Sequence, residues 1–207
     1  MLRTLEEQAH PHHTALLIID PQKDFCADDG AMAARGVDLS ATQEAVPRIN
    51  RLVEAARRAG ATVVWVRAVL SDARMLPNQK LLYGEGDRIR VVREGSDGAE
   101  WYSAVIRPLA DEAIITKWNY DAFADTELDL LLRSQGIRTL LLTGFATNVC
   151  VETTARHGFV KGYYIVLVSD CTAANTAQEH EMALFNIQSY FGRVATSGEI
   201  ISIWGSS

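Results

Sequence analysis

Three side chains in this sequence fall where an α/β protein does its chemistry: Asp20, Lys117 and Cys150. Each follows a short apolar run that reads as a strand, and open parallel sheets bind ligands beyond the carboxyl ends of their strands. Asp20 closes Ala15-Leu16-Leu17-Ile18-Ile19, just before Pro21, and Lys117 closes Ala113-Ile114-Ile115-Thr116. Cys150 comes after Thr139-Leu140-Leu141-Leu142-Thr143 and the turn Gly144-Phe145-Ala146-Thr147-Asn148. Singly, each has an ordinary explanation: a turn aspartate, a solvated strand-end lysine, a small buried thiol. Together on one sheet edge they form a nucleophilic site. Asp20 takes the thiol proton, Lys117 holds the thiolate and Asp20 in place by charge, and backbone N–H groups of the turn receive an oxyanion.

The elements that must position these residues follow from the pattern of the chain. Gly144 ends the apolar run, and a helix is expected over Val149 to His157, capped by Thr147 or Asn148 and closed by Gly158 at C′. Cys150 then lies in the first helical turn, where free N–H groups and the helix dipole favour a thiolate. Val46, Ile49, Leu52, Val53 and Ala56 share a helical face that Gly60 terminates, and Thr62 to Arg67 reads as the second strand. Residues 27–37 read as a loop, and residues 70–100 as a long excursion able to cover a site. Trp101 to Leu109 is expected to form a short helix. Thr126-x-x-Asp129 opens a leucine-faced helix ending at Gly136. A fifth strand over Tyr163 to Ser169, a helix over Gln178 to Phe191 and a short strand over Arg193 to Thr196 complete the chain. Strands alternating with helices predict an α/β, three-layer Rossmann-like fold, with a mostly parallel sheet covered on both faces.

Residues 14–207 are expected to form a single domain behind a flexible, solvated arm, residues 1–13, which carries His10, His12 and His13. A formal charge of -6 argues against a nucleic-acid or membrane-surface binder. Cys26, Cys150 and Cys171 are too few and too dispersed for a disulfide framework or zinc cluster, which suits a cytoplasmic protein. No segment has the length of a membrane span, and the amino-terminal residues lack an apolar signal-peptide core. Arg88, Arg90 and Arg93 are read as a solvated face, and any one of these or Arg67 is a candidate partner for a substrate carboxylate.

Ile18-Ile19-Asp20-Pro21-Gln22-Lys23-Asp24-Phe25, Thr116-Lys117 and Gly144-Phe145-Ala146-Thr147-Asn148-Val149-Cys150-Val151-Glu152-Thr153-Thr154 together resemble the isochorismatase-like cysteine hydrolases. The resemblance runs from about Ala15 to the carboxyl terminus. It implies a catalytic triad of Asp20, Lys117 and Cys150. It further implies an oxyanion hole from the N–H groups of Ala146 and Cys150, a cis peptide between Phe145 and Ala146, and six strands in the order 3-2-1-4-5-6. In that order Lys117 starts two strands from Asp20, and nothing in the sequence says how it crosses the gap.

Nicotinamidases of the family carry an Asp-x-His metal pair after the second strand, where this chain has Ala68 and Leu70, so no metal or other cofactor is expected. Isochorismatases proper lack the nucleophilic cysteine. The similarity is strongest to the ureidoacrylate amidohydrolases and N-carbamoyl amidases, through Ala146 to Glu152, Ala183 to Ile187 and Phe191-Gly192. This implies a cysteine amidohydrolase acting on a small amide, ureido or N-carbamoyl compound, in a homo-oligomer (dimer or tetramer). Candidate substrate contacts are Phe25, Trp101, Asn119, Tyr120, Phe123 and Phe145. Two other readings compete: a non-catalytic binding protein on the same fold, and a redox protein pairing Cys150 with Cys26 or Cys171.

Overall fold

A computed structural model describes residues 1–85 and 89–205. Six strands, β1 (Thr14–Ile19), β2 (Thr62–Ala68), β3 (Ala113–Lys117), β4 (Thr139–Phe145), β5 (Tyr164–Ala173) and β6 (Arg193–Ala195), form one sheet in the order β3-β2-β1-β4-β5-β6. Every pairing in it is parallel. The apolar runs explain the central position of β1 and β4, because a strand buried on both faces has no polar side to show to water. Side chains alternate between two cores. Leu16, Ile18, Leu141 and Val166 point to one face, and Leu17, Ile19, Leu140 and Leu142 to the other.

Helices cover both faces. On the first, α4 (Ser40–Ala59) packs Val46, Ile49, Leu52 and Val53 against the sheet beside α9 (Ser197–Gly205), which contributes Ile200 and Trp204. On the second lie α6 (Leu128–Ser134) and α7 (Glu152–Val160), with Leu128, Leu132 and Ala155 in the core. The remaining helices are short: α1 (Leu5–Gln8), α2 (Lys23–Cys26), α3 (Ala31–Ala34) and α5 (Pro77–Tyr83), together with the longer α8 (Ala177–Asn186). A third, small core of Ala68, Leu70, Met75, Val91, Val92 and Ala99 lies under the 70–100 excursion. Among the described residues no helix is long and apolar enough to cross a membrane.

Several expectations require correction. Residues 101–110 form no helix: Trp101 pairs with the Gln22 backbone in an isolated bridge, tying this stretch to the end of β1 instead. The chain after β4 begins with a π-helical turn, Thr147–Val151, capped by no side chain, and Gly158 lies inside α7 rather than beyond it. Residues 27–37 contain α3, and α4 starts at Ser40, with Pro47 in its second turn. Periodicity did not mark α9, whose apolar side faces α4. Nor are residues 1–13 solvated throughout. A Thr4–Glu7 capping box closes α1, Ala9 is fully buried, and the Trp204 indole N–H donates to the Ala9 carbonyl at 2.7 Å. Burying one apolar face and satisfying a buried indole together outweigh the entropy of a free terminus.

Candidate active site

Asp20 follows β1 with φ 54, a left-handed conformation that costs a non-glycine residue about 1 kcal/mol or more and that aspartate tolerates better than most. Its N–H donates to Val66 O at 2.9 Å, which keeps the residue at the sheet edge. Lys117 ends β3 in register with Ala68 of β2. Two strand spacings, roughly 10 Å, separate the β3 and β1 backbones. The lysine stem crosses over the end of β2, where Ala68 presents only a methyl group. This answers the question that strand order alone left open.

At the end of that reach Lys117 Nζ lies 2.8 Å from Asp20 Oδ2, 3.3 Å from Cys150 Sγ and 2.9 Å from the Asn119 carbonyl. Of the ammonium group's three N–H donors, one goes to Cys150 Sγ and one to the Asn119 carbonyl, while Asp20 is held as an ion pair. Lys117 and Asp20 are both fully buried. Neither Asp20 oxygen makes a hydrogen bond of good geometry, so the carboxylate is held chiefly by the lysine charge. Removing one member of such a buried pair typically costs about 3–5 kcal/mol, because the other charge is stranded.

Cys150 lies in the π-helical turn after β4. Gly144 makes this turn possible: at φ 107, a Cβ there would stand 1.9 Å from Ile19 O. The Phe145–Ala146 peptide is cis. Ala146 O accepts from the N–H groups of both Val149 and Val151. Thr147, fully buried, is fixed by a 2.9 Å hydrogen bond between Oγ1 and His180 Nδ1.

Electrostatics revise one expectation. Burial pushes the Cys150 thiol up to about 12; Asp20 pushes the same way, and Lys117 opposes both. That direction favours the thiol over the thiolate that the helix end alone would favour. Burial also raises Asp20 against the pull of Lys117, making it the stronger base. Burial alone would lower Lys117, but its partners, the Asp20 charge foremost, outweigh it and raise it, so the lysine stays charged.

Cys150 opens on a cavity of about 210 Å³. Cys26 and Cys171 are fully buried, and neither borders it. Of the expected substrate contacts, Phe25, Asn119, Tyr120 and Phe145 line this cavity. Trp101 and Phe123 do not. Trp101 packs edge-on against Trp65 on the α4 face, with centroids 5.7 Å apart. Phe123 stacks on Tyr163 at 5.9 Å beneath α7. An aromatic in a loop carries no sequence mark of which layer will receive it. Arg67 bonds Thr116 Oγ1, and neither it, Arg90 nor Arg93 borders the cavity; Arg88 lies outside the described residues. Ala68 and Leu70, whose side chains are hydrocarbon, line the cavity.

Three residues of the site were not anticipated. Buried Gln22 grips β2: its Nε2 donates to the carbonyls of Ala68 and Ala99, and its Oε1 accepts from Ala68 N–H at 2.8 Å. Asp24 accepts from Ala31 N–H at 3.0 Å and from Val92 N–H at 2.6 Å, joining α3 to the 70–100 excursion. Both fall inside the Asp20 to Phe25 motif, which signalled importance but not task. Arg35, after α3, borders the cavity from a stretch without periodicity, and no sequence signal marked it.

Comparison with known proteins agrees with this fold. A model of the isochorismatase domain matches residues 14–199. Ureidoacrylate amidohydrolase RutB of Enterobacter sp. (strain 638) is 34% identical over 203 residues, which cover 90% of this chain and 86% of that protein. A cysteine hydrolase from Pseudomonas syringae pv. phaseolicola 1448A superposes with a TM-score of 0.84 at 31% identity, over 95% of this chain and 94% of that one. N-carbamoylsarcosine amidase from Thermoplasma acidophilum gives a TM-score of 0.72 at 27% identity, over 89% and 96%. With sheet order, cis peptide and the Asp20–Lys117–Cys150 cluster already in place, the match over nearly the whole chain settles its kinship: this protein belongs to the isochorismatase-like cysteine hydrolase family.

Proposed function

We propose that the protein is a cysteine amidohydrolase that cleaves a C–N bond of a small amide, ureido or N-carbamoyl compound through a thioester. The observation that carries this reading is the Lys117 ammonium, held within 3.3 Å of Cys150 Sγ and 2.8 Å of Asp20 at the floor of a cavity. RutB and N-carbamoylsarcosine amidase, both amide hydrolases by name, support the bond type.

Cys150 Sγ attacks the carbonyl carbon as its proton passes to Asp20, and Lys117 stabilises the sulfur as it becomes negative. The carbonyl oxygen takes the displaced electron pair and is received by the N–H groups of Ala146 and Cys150. Collapse of this intermediate breaks the C–N bond, and Asp20 returns the proton to the departing nitrogen. Water then enters, gives a proton to Asp20 and attacks the thioester. The C–S bond breaks, the acid leaves, and the proton returns to sulfur. A raised Asp20 pKa suits both the taking and the giving of that proton.

The test is ammonia release from a panel of primary amides, ureido acids and N-carbamoyl amino acids. The wild-type protein should turn over at least one class, and Cys150→Ala should lose at least ~10³-fold while keeping its melting profile. Cys26→Ala and Cys171→Ala should retain most activity. Activity surviving in Cys150→Ala would overturn the nucleophile.

A further inference from the structure

We infer that Arg35 is a specificity-determining residue, holding a carboxylate on the substrate's far end. The inference rests on the hydrolase reading above and extends it to a substrate class: anionic amides or ureides in preference to neutral ones.

Charge around the cavity points this way. The protein carries a formal charge of -6, yet no Asp or Glu lines the cavity among the described residues. Its cationic lining residues are Lys117 and Arg35. Lys117 is already committed, since it hydrogen-bonds Cys150 Sγ and the Asn119 carbonyl and is ion-paired with Asp20. The Arg35 side chain is exposed and has no carboxylate partner among the described residues. Phe25, Leu70, Val91 and Phe145 make the nearby walls apolar. A lone positive charge at an apolar-walled opening attracts an anion more strongly than the same charge on open surface. A guanidinium also presents two parallel N–H groups that match a carboxylate.

The backbone that carries Arg35 is itself anchored. Asp24 Oδ1 accepts from Ala31 N–H at the start of α3, and Arg35 N–H donates to Met32 O at 3.1 Å. Gly30 lets α3 sit tightly against α2, as a Cβ there would come within 2.5 Å of Lys23 O. Arg35 is thus carried on a segment anchored to the same Asp24 that anchors the opposite wall at Val92.

Two reagents of near-equal size, iodoacetate and iodoacetamide, differ chiefly in the negative charge that Arg35 would read. The first measurement is the ratio of their alkylation rates at Cys150 in the intact protein, which requires no substrate. Arg35→Gln should lower the iodoacetate-to-iodoacetamide ratio roughly tenfold, Arg35→Lys should lower it less, and added salt should lower it more in the wild type than in Arg35→Gln. The second measurement is kcat/KM for 3-ureidopropanoate against its methyl ester. Arg35→Gln should reduce the acid-to-ester ratio by a similar factor, mostly through KM. An alkylation ratio unchanged in Arg35→Gln overturns the role of Arg35, whatever the substrate. A ratio that falls in a protein hydrolysing no amide or ureide leaves the anion site standing and overturns the hydrolase reading.

Discussion

Cys150 shares burial and a raised thiol with Cys171, and the two pKa directions alone would not tell a nucleophile from a core residue. The distinction lies in surroundings: Lys117 at 3.3 Å, Asp20 next to that lysine, and a cavity in front. The two partners push the thiol in opposite directions, so their loss should fail in opposite ways. Lys117→Ala removes the one influence that lowers the Cys150 pKa and should move the pH profile of iodoacetamide alkylation to higher pH. Asp20→Asn removes an influence that raises it and should move the profile to lower pH, leaving Cys150 alkylatable. Ammonia release should fall at least ~10³-fold in Asp20→Asn, since nothing then protonates the leaving nitrogen. Alkylation profiles that coincide in the wild type and Lys117→Ala, or near-normal turnover in Asp20→Asn, would break the triad as drawn. Melting curves should accompany both variants, because each strands a buried charge.

The segment from Gln22 to Phe25 acts at the scale of elements, tying the end of β1 to the walls of the cavity. Gln22 hydrogen-bonds the backbone at the carboxyl end of β2, at Ala68, and Asp24 joins α3 to Val92. Val92 has φ 40, an outlier for a β-branched residue, and the 2.6 Å hydrogen bond to Asp24 helps offset that strain. Asp24→Asn keeps the shape but leaves an acceptor on one side only, so one of the two backbone N–H groups loses its partner. The expected cost is about 1–3 kcal/mol, read as a lower urea midpoint at unchanged slope. Since α3 carries Arg35, KM should also rise more than kcat falls. A variant with wild-type stability would mean that water replaces the carboxylate at no cost.

For the molecule as a whole, the sheet order decides what meets at its edge. β1 and β4 are neighbours, so Asp20 and the turn carrying Cys150 are adjacent by construction, while Lys117 comes from the outermost strand across β2. Because the side chains of Ala68 and Leu70, which line the cavity, carry no metal-ligating atom, hydrolysis should proceed at full rate after exhaustive chelation. Elemental analysis should then find no stoichiometric zinc, iron or manganese. A metal bound one per chain, with activity lost on its removal and regained on its return, would contradict this.

By itself the sequence determined the alternation of buried strands and helices, and hence a parallel sheet with two covered faces. Runs such as Leu140-Leu141-Leu142 can be satisfied only by burial on both sides, and Gly144 only by a turn where a side chain has no room. Its motifs also named Asp20, Lys117 and Cys150 together. Tertiary structure decided the rest, because the remaining information is non-local. The reach of Lys117 depends on the small size of Ala68 on a neighbouring strand. The raised pKa of the Cys150 thiol comes from how completely its surroundings exclude water, which outweighs the local pull of Lys117. Trp101 and Phe123 went to the cores because Trp65 and Tyr163 offered ring partners there. Arg35 came to the cavity because Asp24, nearer β1, holds α3 over it.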